Sequence, residues 1–424
     1  MHVITVAMGS AGDVFPYIPI NRQLMERGHT VTYICNVEHE QWIRGAGFEF
    51  LPVDLAFSKV ADGEELWKPL AGLRILMEAM FRVMPETYRM IEEKHVPGQT
   101  VLLAPFSSFS ARFAQEKLGI PLVSIHLQPA MLRTSNVPMA GLPRVFSRLV
   151  TRLRNRLIDR LFLDPMLLPP LNRFRSGIGL PPIRRGFFDW VLSPQLGLGL
   201  FPDWFTAPQP DWPANTYLTG FPLFDRITEL PQEVLDYLDE GEPPIVFTAG
   251  TAMRFASRFF AVAAEVCRNL NRRGMLLTSF SEQVPADLPA GVRHFRYASF
   301  TDLLPRAAAL VHHGGIGTTA QAFAAGIPQL IVPFAFDQPE NAVHMRQTGC
   351  GDWIASAKLS APLATEKLRH LLTSAEVAAN CRLYAAKIEQ TDPITLACDR
   401  IESLMPASRG AALQPDAVLA LEAV

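Results

Sequence analysis

The sequence predicts an α/β protein of two doubly wound domains facing a central cleft. Three observations carry that expectation. Short apolar, β-branched runs recur along nearly the whole chain with helical patterns between them, as parallel strands covered on both faces require. The runs fall into two series, opening at His2 and at Ile245, and each begins with a strand, a Gly-containing loop and a helix. The 424 residues, 49% hydrophobic and 19% charged, can fill two cores of ordinary domain size, which excludes a disordered chain.

In chain order, residues 2–7 are expected as a strand, 15–27 as a helix and 30–35 as a strand. Further strands of the first series are expected at 100–104, 122–126 and 196–201. The second series opens with a strand at 245–248 and a helix at 256–273. Strands follow at 275–280, 294–298, 308–312 and 329–333. Pro222, Pro231, Pro243 and Pro244 punctuate the stretch between the series. The expected organisation is a first domain over 1–220, a linker over 221–243 and a second domain over 244–390. A C-terminal helix and tail over 391–424 complete it, with the helix returning to the first domain and the small, apolar end loosely held.

Charge and cysteine content narrow the function classes. Lys and Arg number 39 against 41 Asp and Glu, so no basic excess marks a nucleic-acid binder. The five cysteines are scattered and form no CxxC, which argues against a disulfide framework or a zinc site and for a reducing cytoplasm. The N-terminal residues look like a first strand rather than a signal peptide. The uncharged stretch over 315–336 contains Gly, Thr, Gln and Pro328, a poor membrane span.

Residues 144–175 stand apart. Leu149, Leu153, Leu157 and Leu161 recur every fourth residue among Arg144, Arg148, Arg152, Arg154, Arg156 and Arg160. One reading is a surface helix docked on the core by its leucines with a solvated basic face. The other is a helix over 144–160 that meets an anionic membrane peripherally, on the inner face.

Three loops carry the chemistry. The first runs His312-His313-Gly314-Gly315-Ile316-Gly317-Thr318-Thr319 between a strand and a helix pattern. Its backbone amides and the helix dipole suit a diphosphate, with donors from Thr318, Thr319 and His312. The glycines could instead serve tight helix–strand packing. The second loop ends the next strand and holds Asp337 and Gln338, a carboxylate and a carboxamide able to grip vicinal hydroxyls. A helix N-cap at Asp337 is the plainer reading. The third, Gly9-Ser10-Ala11-Gly12-Asp13-Val14-Phe15-Pro16, brings Asp13 to the end of the first strand, as a general base or again as an N-cap.

With these loops in place, the chain resembles the family-one, UDP-glycosyltransferase-like enzymes of GT-B fold. The likeness rests on His-His-Gly-Gly-Ile-Gly-Thr-Thr followed about 20 residues later by Asp-Gln, and it covers nearly the whole chain. Gly-Asp-Val-Phe-Pro in the first loop is similar to the sterol and glycopeptide members. A closer resemblance, to the rhamnosyltransferases of rhamnolipid synthesis, rests on Gly9-Ser10-Ala11-Gly12-Asp13-Val14-Phe15-Pro16, on Phe201-Pro202-Asp203-Trp204-Phe205 with residues 208–213, and on Thr219-Gly220-Phe221-Pro222-Leu223-Phe224-Asp225.

The resemblance implies an inverting, metal-independent hexosyltransferase with Asp13 as base. Ser10, Gly12, Gly250, Thr251, Tyr297, Ala298, His312, Gly314, Gly315, Gly317, Thr318, Asp337 and Gln338 would bind the donor. Tyr297 and Ala298 would meet the nucleobase. No cofactor is expected, because the nucleotide sugar is a co-substrate. The expected donor is dTDP-L-rhamnose and the acceptor an apolar hydroxyl compound such as a hydroxy-fatty-acid ester. The alternatives are UDP-glucose transfer to a sterol, terpenoid or polyphenol, a non-catalytic activator of the same fold, and a sugar-nucleotide epimerase. Met77, Met80, Met84, Met90, Met131, Met139 and Met166, with Phe81, Phe106, Phe109 and Phe113, would be either core filling or an adaptable acceptor pocket.

Overall fold

The computed structural model describes residues 1–136, 144–184, 186–225 and 229–405. The first domain holds β1 (His2–Val6), β2 (Thr30–Asn36), β3 (Glu49–Val53), β4 (Thr100–Pro105), β5 (Leu122–His126), β6 (Leu196–Gly199) and β7 (Thr216–Leu218). They form one parallel sheet in the order β3-β2-β1-β4-β5-β6-β7. The second domain holds β8 (Ile245–Thr248), β9 (Gly274–Leu277), β10 (Val292–Phe295), β11 (Ala309–His312), β12 (Gln329–Ile331) and β13 (Gly351–Trp353). Their order, β10-β9-β8-β11-β12-β13, is again parallel and reverses direction between β8 and β11. Both sheets are thus doubly wound, with the crevice at the switch point open at the carboxyl ends of the strands.

Alternate residues of each strand feed opposite faces. In the first domain Ile4, Val6, Ile34 and Leu102 pack on the long helix Pro69–Lys94, while Val3, Tyr33, Val101 and Val123 pack on the helix Tyr17–Glu26. Met77, Met80 and Met84 are buried in the former layer, so these three are core filling and do not line an open acceptor pocket. The final helix, Pro393–Glu402, lies on the first domain. Ala397, Cys398 and Ile401 join its core, and Arg27 pairs with Asp399 and Glu402 at 2.7 and 2.8 Å. The expectation for the chain end over 407–424 falls outside the described residues.

The basic segment is one long rod. Arg144–Ile158 is α-helical, Asp159–Leu163 widens into a π turn and Asp164–Gly177 continues as α-helix. Its orientation overturns the docked-leucine reading. Ser147 and Thr151 are buried against the protein, whereas Leu149, Leu153 and Leu161 stay 56–61% exposed. The small hydroxyl side chains let the helix backbone approach the domain, and that turns the apolar stripe outward.

Candidate active site

Between the domains, loops from both sheets converge. Arg254 of the β8 loop pairs with Asp62 of the first domain at 2.8 Å, and Trp67 meets Phe336 edge-on at 5.9 Å. Ile316, at the start of the helix Ile316–Ala324, packs against the cores of both domains. These contacts bring the carboxyl edges of the two sheets together.

Asp13 is the third residue of the one-turn helix Ala11–Val14 after β1. The backbone amide and hydroxyl of Ser10 both donate to Asp13 Oδ2, at 2.8 and 2.7 Å. Asp13 therefore closes a capping box with Ser10 instead of being the N-cap itself. Among the described residues nothing donates to its Oδ1. Burial pushes the Asp13 carboxyl above its ordinary value, against the two Ser10 hydrogen bonds and the nearby His39, which pull it down. A carboxylate with one oxygen tethered and the other unpartnered, made more basic by desolvation, is suited to accept a proton.

Asp337 lies across the cleft. It precedes the helix Gln338–Gln347 but makes no capping bond; its Oδ2 accepts instead from Asn341 Nδ2 at 2.6 Å. Asp337 thus stands at the N-cap position, as the plainer reading has it, but its carboxylate does not cap the helix. Burial raises the Asp337 carboxyl to about 6, opposed by hydrogen bonds from its own loop and Asn341 and reinforced by the charge of Asp13. Burial is the main cause, and the Asp13 charge across the cleft adds to it. Gln338 is half committed: its Oε1 accepts from Phe334 N and Ala335 N at 2.7 and 3.1 Å, leaving only the amide NH₂ for a ligand.

The Gly-rich loop corrects the histidine assignment. His312 is fully buried at the end of β11. Its Nδ1 accepts from Gly314 N at 3.1 Å, so Nε2 carries the proton and donates to Gln329 Oε1 at 3.1 Å. Gln329 Nε2 in turn donates to Thr319 O. Burial, with His313 beside it, holds His312 down to about 3, so it stays neutral with both nitrogens spent. His312 cannot be the free donor expected from the sequence, because strand alternation turns it into the core. The next residue faces the other way. The His313 ring occupies a niche between Gly250 and Gly315. A Cβ on Gly250 would stand 2.8 Å from His313 Cε1, and one on Gly315 would collide with Nε2. Burial lowers His313 to about 4, and its Nδ1 is enclosed without a hydrogen-bond partner.

Gly315 caps the helix Ile316–Ala324, and among the described residues no side chain bonds the amides of its first turn. Gly317 is exposed and Thr318 half-buried there, whereas the Thr319 hydroxyl is spent on Gly315 O at 3.0 Å. Gly250 and Thr251 open the loop after β8, facing the same switch-point crevice. Ser10 and Gly12 stand across from it. Tyr297 and buried Ala298 lie two strands away, after β10, and the Tyr297 hydroxyl donates to Asp225 Oδ1 at 2.9 Å. Sequence reasoning missed Asn341, whose Nδ2 donates both to Gly314 O at 2.9 Å and to Asp337 Oδ2, tying the Gly-rich loop to the acidic one. Its place four residues after Asp337, one helical turn on, was the available signal.

Comparison with known proteins agrees with this fold. Residues 3–139 match the glycosyltransferase family 28 N-terminal domain, and residues 275–402 the C-terminal domain of erythromycin biosynthesis protein CIII-like proteins. The O-mycaminosyltylonolide 6-deoxyallosyltransferase of Streptomyces fradiae is 27% identical, over 95% of this chain and 97% of that protein. The chain is a glycosyltransferase of GT-B fold. Among solved structures, the kitacinnamycin glycosyltransferase superposes with a TM-score of 0.73 at 21% identity, covering 96% of this chain and 99% of its own. The glycosyltransferase VinC, solved in complex with dTDP, superposes at 0.67 and 18% identity, over 96% and 99% of the two chains. The relation to family-one-like enzymes expected from the sequence, and the hexosyltransferase class, hold for this glycosyltransferase.

One prediction belongs to Asp337. A carboxyl held at about 6 in the folded enzyme, against an ordinary 3.8, opposes folding near pH 7 by on the order of 3 kcal/mol. The sign follows from the raised value: the penalty is present above pH 6 and vanishes as both states protonate below pH 4. Asp337→Asn should therefore raise the melting temperature at pH 7 and leave it unchanged at pH 3.5, while turnover falls. Equal stabilisation at both pH values would contradict the desolvated-carboxylate account.

Proposed function

We propose that this glycosyltransferase moves L-rhamnose from dTDP-L-rhamnose, with inversion, to the hydroxyl of an apolar acceptor such as a hydroxy-fatty-acid ester. The observation that carries the reaction is a carboxylate, Asp13, held at Oδ2 by Ser10 in one domain, with the Gly-rich helix start and the Asp337 loop of the other, tied together by Asn341, brought to it where Ile316 packs on both cores. Asp13 Oδ1 takes the acceptor proton as the acceptor oxygen bonds to the anomeric carbon. The bond from that carbon to the diphosphate oxygen breaks, and the electron pair leaves with the diphosphate. The first-turn amides of Ile316–Ala324, the Thr318 hydroxyl and the His313 imidazole meet the growing charge. Asp337 and the Gln338 amide hold sugar hydroxyls, with Asn341 as the positioning residue. Gly250 and Thr251 flank the phosphates. β10 lies two strands, about 10 Å, from β8, a span that suits a nucleoside reaching Tyr297 and Ala298.

The 6-deoxyhexose in the name of the Streptomyces fradiae relative and the dTDP bound by VinC support the donor. The resemblance of the first loop and of residues 201–225 to rhamnolipid rhamnosyltransferases supports the sugar and acceptor. Five buried, unpaired cysteines fit a cytoplasmic site of action. The test is a donor screen: dTDP-L-rhamnose, dTDP-glucose and UDP-glucose, each with a 3-hydroxyacyl ester, a sterol or no acceptor. Rhamnosyl transfer to the hydroxyacyl ester is expected. Transfer of glucose from UDP-glucose to the sterol would refute the assignment, and no transfer at all would favour an activator role.

A further inference from the structure

The outward face of the helix Arg144–Ile158 is built the wrong way round for a globular surface. Val145, Phe146, Leu149, Leu153 and Leu157 are 49–69% exposed, and beyond the π turn Leu161 and Phe162 extend the stripe at 60% and 62%. Isolated apolar side chains on a surface are unremarkable; a continuous ridge of seven is not. Five arginines and no acidic residue share this helix, in a chain whose net charge is −2. Arg152, Arg154 and Arg156 are exposed among the leucines, whereas Arg148 is half-buried toward the protein.

We propose that this ridge docks the enzyme on an anionic lipid bilayer. Two features select that occupant. The face is convex, so it can sink into the headgroup boundary, where arginine stems lie along apolar surface while their guanidinium groups reach phosphate. A second copy of the chain is disfavoured, because a two-fold contact through this face would set arginine against arginine with no acid on 144–158 to pair them. Among the described residues no helix is long and apolar enough to cross a membrane, so the contact is peripheral.

The position suits delivery of an amphiphile. The segment leaves β5 at its carboxyl end, and on the way Pro129–Met131 touches the helix Gln338–Gln347 of the second domain. Arg133 then pairs with Asp159 at 2.5 Å, tying that loop to the rod. The π-turn end of the ridge is therefore tied to the loop that reaches the second domain. The docking stands whether or not the donor and acceptor are those proposed above.

The test is flotation of the full chain with vesicles of phosphatidylcholine, alone or with about one third phosphatidylglycerol, without donor or acceptor. Binding is expected only with the anionic lipid and should weaken with salt. Each arginine near such a surface contributes about 1 kcal/mol, so Arg152→Gln, Arg154→Gln and Arg156→Gln together should weaken partitioning roughly 100-fold. Leu149→Glu with Leu153→Glu should abolish it, with melting temperature unchanged because both side chains are exposed. Failure of the unaltered chain to float, or flotation that survives both sets of substitutions, would overturn the proposal. So would a dimer in sedimentation that the Leu149→Glu, Leu153→Glu variant dissolves while no vesicle binding occurs.

Discussion

Asp13→Asn is expected to retain nucleotide binding and to lose roughly 10²–10⁴-fold in turnover. The substitution keeps shape, and an asparagine carbonyl can still accept from the Ser10 amide and hydroxyl that hold Oδ2. What disappears is the basic oxygen that receives the acceptor proton. A second readout distinguishes this from a structural role. Burial raises the Asp13 carboxyl, so the acid limb of the wild-type pH–rate profile should lie above the ordinary carboxylate range, with activity rising as Asp13 ionises. Removing the Asp13 charge should also lower the Asp337 carboxyl, because that charge helps to raise it. Turnover near the wild-type level in Asp13→Asn, measured at saturating donor, would remove Asp13 from the mechanism.

The neighbouring histidines should separate cleanly. His313→Ala removes the imidazole from the niche beside Gly250 and Gly315 and should cost turnover about 10²–10³-fold, the usual loss for one donor to a developing oxyanion. Its effect on melting temperature should be small, because no described residue depends on Nδ1. His312→Ala should do the reverse. It strands Gln329 Oε1 and Gly314 N in the core, a destabilisation of about 2–4 kcal/mol, with donor affinity preserved in whatever fraction stays folded. Thermal melts and product-inhibition constants for dTDP on the two variants decide the matter. A stable His312→Ala enzyme that binds dTDP poorly would restore the sequence-based assignment.

The histidine pair shows where the sequence was legible and where it was not. Glycine spacing between a strand and a helix located the anion-binding loop, because that geometry is dictated by backbone approach. Which of two adjacent histidines faces the ligand depends on which face of β11 the last strand residue takes: His312 turns inward to Gln329 and Gly314, and the next residue turns the other way. The central strands of both sheets carry apolar runs and were recognisable. Three missed strands, β3, β7 and β13, are all at sheet edges. β3 contains Pro52 and begins with exposed Glu49, and the other two span three residues each. A strand paired on one side only needs neither length nor an unbroken apolar run. Asp13 and Asp337 were visible singly, but the burial that raises both carboxyls arises only in the folded protein. The leucine ridge was seen as a pattern, yet periodicity alone could not say which side of the helix meets the protein.

The return of the final helix to the first domain means that the polypeptide passes between the domains twice. The two passages run side by side: Gly220, at φ +105°, lies so near Thr391 and Pro393 that an added Cβ would stand 3.3 Å from each. Two adjacent tethers behave as a door hinge does, allowing rotation about their common line and resisting twist or separation. A swing about that line would carry Asp337 away from Asp13. The same geometry governs recombination of this enzyme with a relative. A hybrid joined only near 220 would mate the first sheet with a foreign closing helix, and Ala397, Cys398 and Ile401 would have to refit its core. A hybrid that carries 393–402 along with the first 220 residues keeps that core whole and makes the second domain the exchangeable part.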